Sequence, residues 1–345
     1  MNRKKDTSIQ LRKNDHIQIN LEKDVNSSIS NGLENYFFNH QALPEVNLHD
    51  VDLQSELFGK PLLAPLLISS MTGGTADAEI INSNLAKAAQ LHGIAMGVGS
   101  QRAAIENKSL DKSFQVRQYA PDIILFANLG AIQLNYGYGL DECKRAVDMI
   151  EADALILHLN PLQEALQPEG NTNFFGLLKK IETLCKMLPV PVIVKEVGWG
   201  ISGKIAKSLF ESGVSAIDIA GAGGTSWSEV EKHRIIDSNR SLIASNFKGW
   251  GIPTAESIAM VRKNAPNALI FASGGLRNGI DVAKCLALGA RLGGIAGPFL
   301  RSAHLGLDDL SAQIQRVIDE IKICMFCCGI SSLDQFDESL LCYRK

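Results

Sequence analysis

Ala154-Leu-Ile-Leu-His-Leu-Asn-Pro-Leu-Gln-Glu164 joins a short apolar run, 154–157, to four polar side chains: His158, Asn160, Gln163 and Glu164. A continuous apolar run followed at once by such a cluster is expected of a strand in a parallel barrel, where active sites sit at the C-terminal strand ends. An amide, Gln163, beside a carboxylate, Glu164, suits holding a hard metal ion near a bound substrate better than it suits hydrolysis.

Working outward, similar β-like runs occur at 66–68, 94–96, 123–127, 192–194, 216–219, 269–272 and 292–295. Between most of them lie segments with apolar residues at three- and four-residue steps, as at 80–91, 143–150, 177–188, 205–210 and 282–288. Eight βα units over roughly 250 residues predict an α/β fold of the (β/α)8 TIM-barrel type. A doubly wound open sheet fits less well, because Gly-rich turns recur at several strand ends rather than at one switch point. The chain divides into an N-terminal extension (1–60), a barrel (61–335) and a C-terminal tail (336–345). The first 55 or so residues are polar, show no strong period and read as irregular chain lying on the main body.

The strand ends are rich in glycine and small polar residues: 69–74, 97–102, 128–130, 195–198, 221–225, 273–277 and 296–297. Glycines there let backbone N–H groups approach a ligand. Loops after strands seven and eight form the usual phosphate site of this fold, and Gly274, Gly275, Arg277, Ala296 and Gly297 supply donors for one. Thr225 adds a hydroxyl. Lys195 ends an apolar strand and is expected to point into the barrel mouth, where a desolvated ammonium needs an anion. That anion is a substrate phosphate, a Schiff-base carbonyl, the N1/O2 edge of a reduced flavin, or a carboxylate such as Glu196. Near the N-terminus, Arg12-Lys-Asn-Asp-His16 concentrates cations that form either a solvated tail or, if the extension folds over the mouth, a diphosphate clamp of Arg12, Lys13 and His16.

Composition bounds the function. The 345 residues are 46% hydrophobic and 21% charged, with 30 glycines, which describes a soluble globular chain. A formal charge of −3 argues against a general nucleic-acid binder. The longest apolar run, 61–68, is far short of the ~20 residues a membrane helix needs, and the basic start lacks the apolar core of a secretory signal, so a cytoplasmic location is expected. Seven cysteines without paired spacing suit a reducing compartment. Cys324, Cys327 and Cys328 read as one face of a helix rather than a metal site, since no second ligand pair accompanies them.

The motifs RKNDH (12–16), SSMTGG (69–74), GVGSQR (97–102), ANLGA (127–131), HLNPLQE (158–164), PEG (168–170), VKEVGWGIS (194–202), GAGGTSW (221–227) and ASGGLRNGIDVAKCLALGA (272–290) follow one another in order. From about residue 8 to about 335 the sequence resembles the type 2 isopentenyl diphosphate isomerases, FMN-dependent barrel enzymes. The resemblance implies interconversion of isopentenyl and dimethylallyl diphosphate by a 1,3-proton shift, with FMN kept reduced by NADPH and Mg2+ on the diphosphate. By matching motif it assigns Arg12, Lys13, His16, Ser100, Arg102, Asn160 and Gln163 to the substrate and Glu164 to Mg2+. Met71, Thr72, Gly73, Ser100, Asn128, Lys195, Thr225, Gly275, Arg277, Ala296 and Gly297 fall to FMN. Gln163, Lys195 and His158 are the expected catalytic residues, with Gln163 an orienting amide rather than a base. A homotetramer or homo-octamer is implied as well. The competing reading, a 2-hydroxy-acid oxidase, requires a His base and an Arg near strand six, and 221–227 holds neither. A dehydrogenase using a nucleophilic Cys there lacks one between Cys185 and Cys285, and a non-catalytic flavin or phosphate sensor would not keep the Gln163–Glu164 pair.

Overall fold

Each of the eight apolar runs forms a strand, and the eight close in chain order into a parallel barrel. They are β1 (Leu66–Ile68), β2 (Ala95–Gly97), β3 (Leu125–Gly130), β4 (Ala154–Leu159), β5 (Val192–Glu196), β6 (Ala216–Asp218), β7 (Leu269–Ser273) and β8 (Leu292–Ile295). The structure is a computed structural model that describes the backbone of residues 2–344 and the side chains of 11–344. The expected helices form around the barrel, including Ala76–His92, Leu140–Ile150, Leu177–Met187, Gly203–Glu211 and Gly279–Ala287.

Alternation along the strands separates two environments. Inward positions in the lower layers are apolar: Leu67, Ala95, Phe126, Ala154, Ile156, Ile193, Ala216, Phe271 and Leu292 pack as one cluster. Phe126 and Phe271 stack at its centre, their centroids 6.0 Å apart. Leu57 and Leu62, from the antiparallel hairpin Ser55–Leu57/Lys60–Leu62, join the same cluster. Two residues further along five of the strands the inward positions turn polar: Asn128 on β3, His158 on β4, Lys195 on β5, Asp218 on β6 and Ser273 on β7. The mouth is therefore a polar layer resting on an apolar plug.

Most strand bounds shift by one or two residues from the runs, and the differences that bear on the site and the termini are these. β3 begins two residues late and runs to Gly130, because its ladder with β4 pairs Phe126 through Gly130 with Ala154 through His158. His158 thus lies on the strand rather than beyond it. The first 22 residues, read as irregular, are mostly helix, Asn2–Glu22. This helix places Arg12, Lys13, His16, Ile17 and Asn20 on the mouth, leaves Leu11 exposed and buries only Ile17 fully among its described side chains. It docks through polar groups, so no apolar period marks it. Finally, Leu341–Tyr343 in the C-terminal tail pairs antiparallel with Tyr36–Phe38 of the extension. The cysteine cluster lies on the helix Leu307–Cys328 as expected, with all three thiols free.

After the N-terminal helix the chain is tied to the barrel loops by backbone hydrogen bonds, Ser27 N to Gly224 O at 2.8 Å and Ser226 N to Val25 O at 2.8 Å. Asn31 Nδ2 donates to Gly275 O at 2.9 Å. No helix among the described residues is long and apolar enough to cross a membrane.

Candidate active site at the barrel mouth

A cavity of about 290 Å³ opens at the C-terminal end of the barrel. One wall is backbone. Gly274 and Gly275 carry φ of +107° and +75°, the left-handed region that glycine enters at little cost. A Cβ on Gly224 would meet Gly275 N at 2.6 Å, so the loops after β6 and β7 pack face to face only as glycines. The helix Gly297–Leu305 starts on the same wall with Pro298 in its first turn. A helix start, with its N–H groups and dipole, favours an anion, and Arg277 and Arg301 line the same wall.

The floor is the polar layer. His158 Nδ1 donates to Asn128 Oδ1 at 2.8 Å, and burial, reinforced by Lys195 and Lys13, pushes its pKa down to about 4. The imidazole is therefore neutral at physiological pH. Lys195 Nζ lies 3.4 Å from Asp218 Oδ2 and donates to Glu196 O at 3.0 Å and Ser273 Oγ at 3.4 Å. Its carboxylate partner is Asp218 rather than Glu196. The Glu196 carboxylate turns away to accept from the amides of Val197, Gly198 and Trp199. Burial outweighs those three bonds and raises its pKa to about 7.

The opposite wall is a network of side chains. The helix Pro161–Leu166 follows β4 and buries Gln163 and Glu164. Asn160 Nδ2 donates to Gln163 Oε1 at 3.1 Å and to Glu164 Oε1 at 3.0 Å, and Asn171 N donates to Glu164 Oε2 at 2.5 Å. Glu231, fully buried on the helix Trp227–Arg234, accepts from His16 Nε2 at 3.0 Å, Gln163 Nε2 at 3.0 Å, Gln167 Nε2 at 2.8 Å and Arg234 Nη1 at 2.7 Å. Burial alone would raise its pKa; these donors overcome that and hold it at about 2. Arg12 Nη1 donates to Gln167 Oε1 at 3.3 Å. Lys13 Nζ donates to Ser100 O at 2.8 Å and lies 4.9 Å from the Phe114 ring centroid. Burial, with Arg12 adjacent, lowers the Lys13 pKa to about 7.

The cavity thus gathers Arg12, Lys13, His16, Met71, Thr72, Ser100, Arg102, Asn128, His158, Asn160, Gln163, Glu164, Lys195, Thr225, Gly275, Arg277, Ala296 and Gly297. Arg102 also pairs with Glu106 at 2.8 Å. Gly73 does not line it: a Cβ there would sit 2.0 Å from Phe114 Cε1, so its bareness makes room for the ring beneath Lys13. Sequence reasoning missed Glu231, Gln167 and Asp218. The segment 227–234 reads as an ordinary charged helix face, and Asp218 sits within a short apolar run; neither carries a local signal of burial.

The chain resembles known proteins on two scales. The family described as FMN-dependent dehydrogenase matches residues 164–343. An isopentenyl-diphosphate delta-isomerase of Nostoc sp. is 55% identical over 96% of this chain and 95% of its own, and one of Synechocystis sp. is 58% identical over 97% and 96%. A Rickettsia akari protein of the same name is 52% identical over 93% of this chain and 94% of its own. Among solved structures, a flavocytochrome b2 variant superposes with a TM-score of 0.68 at 19% identity, over 95% of this chain and 82% of that one. An (S)-mandelate dehydrogenase chimera gives 0.68 at 16% identity over 99% of both. These structural likenesses establish the barrel, while identity above 50% along nearly the whole length establishes descent: the chain belongs to the type 2 isopentenyl diphosphate isomerase family.

Proposed function

We propose that the chain interconverts isopentenyl and dimethylallyl diphosphate at the barrel mouth by a 1,3-proton shift, with FMN kept reduced by NADPH and Mg2+ carried on the diphosphate. The observation that carries this reading is the seating of Arg12 and Lys13, 150 residues away in sequence, in one cavity with Gln163 and Glu164. Two cations and one carboxylate around a common space suit a metal-bound diphosphate and little else.

The residues fit an FMN. Ser69 Oγ, Ser70 Oγ and Asn160 Oδ1 are buried polar atoms on the cavity wall with no partner among the described residues, and such atoms call for ligand groups. The glycine wall with Arg277 suits the flavin's phosphate, and Met71, Thr72, Ser100, Asn128, Lys195 and Thr225 surround the remainder. When bound, reduced FMN supplies a proton donor and acceptor for an alkene carbon that an ordinary carboxylic acid protonates poorly.

The chain's own groups do the rest. Arg12 and Lys13 hold the diphosphate, with Ser100 and Arg102 beside them, and His16, its Nε2 committed to Glu231, lines the same end of the cavity. Glu164 offers one fixed carboxylate, and no group of three His, Cys, Asp or Glu among the described residues forms a cage. That matches Mg2+, which keeps phosphate oxygens and waters as most of its ligands. Gln163, bonded at both ends of its amide, is an orienting group that takes no proton. His158, with Nδ1 committed to Asn128, presents Nε2 as an acceptor, and Lys195 presents a charge. The 2-hydroxy-acid chemistry of the structural neighbours calls for a His and an Arg that 221–227 lacks. The same reading makes the protein a cytoplasmic homotetramer or homo-octamer, a size that light scattering on the purified protein reads directly.

The deciding experiment is anaerobic isomerisation with and without NADPH, after titration with FMN. Yellow protein that bleaches with NADPH and then turns over supports the reading; protein that gains no flavin absorbance overturns it.

A further inference from the structure

Lys195 and Asp218 are Cα partners across β5 and β6. Their side chains share the polar layer of the barrel, yet only Lys195 reaches the cavity; Asp218 is wholly buried behind it. Asp218 Oδ1 accepts from Ser273 Oγ at 2.6 Å and from Ala220 N at 3.3 Å. Its Oδ2 has no hydrogen-bond partner among the described residues, and its compensation is the Lys195 ammonium 3.4 Å away. Among the other charged or titratable groups on adjoining elements, His158 on β4 is neutral and the Glu196 carboxylate is bound up in its three amides. Lys195 therefore stands between a ligand cavity in front and a single carboxylate behind.

We propose that Asp218 is a positioning residue that holds the Lys195 ammonium at the cavity floor and withholds part of its positive charge from the flavin. The inference rests on the FMN reading above. A bare cation at a buried site would strongly stabilise the negative charge that reduction places on the ring, since Coulomb terms are large where water is excluded. An isomerase with no net redox change needs a flavin that both gives and takes a proton. A carboxylate set behind the lysine weakens the pull in the required direction.

The test is the midpoint potential of bound FMN in wild type, Asp218→Asn, Lys195→Met and the double variant. Asparagine keeps an acceptor for Ser273 and removes only the charge. Asp218→Asn is expected to shift the ratio of oxidised to reduced FMN dissociation constants about tenfold towards the reduced form, a rise of about 30 mV for a two-electron couple. Lys195→Met should lower the potential. Adding Asp218→Asn to it should shift the potential less than Asp218→Asn does alone, because no ammonium remains for the carboxylate to hold or offset. An unchanged or lowered potential in Asp218→Asn, with FMN bound, overturns the proposal and leaves the FMN reading intact, whereas wild type without flavin absorbance overturns both. If Asp218→Asn fails to fold, Ser273→Ala decides: losing the hydroxyl concentrates the carboxylate's charge on Lys195, so the potential should fall, and no change refutes the idea.

Discussion

The two walls of the mouth are built by different means. The wall after β7 and β8 is made of backbone: Gly274, Gly275 and Gly297 expose N–H groups that the fold has already fixed. The facing wall is made of side chains drawn from the N-terminal helix, the segment after β4 and the helix Trp227–Arg234, all converging on Glu231. A backbone wall is stable before any ligand arrives and tolerates little but glycine. A side-chain wall is assembled from distant pieces and fails together when its hub is removed. If that contrast holds, substitutions on the network side should cost turnover and substrate affinity while leaving flavin binding intact.

The sharpest break is Glu231→Gln. One buried carboxylate serves four donors, and charge-assisted hydrogen bonds contribute about 1.5–3 kcal/mol each to the arrangement they hold. The glutamine must turn its own NH2 towards at least one of those donors. Turnover is expected to fall on the order of 100-fold, while titration with FMN follows the wild-type curve. Steady-state kinetics and flavin fluorescence quenching measure the two; parallel losses in both would mean that the walls are not separable.

This contrast also explains what the sequence reveals. The barrel is legible because apolar runs and Gly-rich strand ends are local signals: all eight strands leave the first, and all but β4 the second. The glycine wall is legible for the same reason: a backbone wall must be written in glycine. Arg12 and Lys13 stand out as a cation cluster, but the helix carrying them does not, because it docks on a polar layer and so needs no apolar stripe. Glu231 is hidden by its neighbours. Glu229, Lys232 and Arg234 give 227–234 the pattern of a solvated face, and only the fold shows that Glu229 and Glu231 are buried. Asp218 is hidden because its partner, Lys195, lies on another strand.

A second, smaller break concerns the clamp. Replacing Arg12 and Lys13 together by Ala should raise KM for isopentenyl diphosphate by roughly 10- to 100-fold, the scale of one or two charge-assisted contacts, with kcat reduced far less and the flavin spectrum unmoved. A KM within twofold of wild type would return the segment to solvent. Glu164→Gln is expected to have a milder effect, about tenfold in the Mg2+ concentration for half-maximal activity, because phosphate oxygens and water supply most of the ligands. Superimposable Mg2+ curves for the variant and wild type would remove the metal from Glu164.

The smallest expected effect separates Lys13 from the guanidinium beside it. Burial lowers the Lys13 pKa to about 7 in the ligand-free chain, and a bound diphosphate raises it by stabilising the charged form. The sign follows from that difference. Below pH 7 the ammonium is already charged and binding takes up no proton. As pH rises through 7, an increasing share of the free protein must be protonated for the clamp to close, and affinity falls. One such proton raises KM about fivefold between pH 7 and pH 8. His16 adds nothing over this range, since burial pushes its pKa down from the ordinary histidine value. Lys13→Arg keeps a cation that does not titrate, so its KM should be flat across the same interval once the diphosphate's own ionisation, common to both proteins, is divided out. Measuring KM at pH 6.5, 7.0, 7.5 and 8.0 for both proteins isolates that proton. Equal slopes would show that Lys13 keeps its charge in the free enzyme, and that the cation against Phe114 and the Ser100 carbonyl is better compensated than its burial implies.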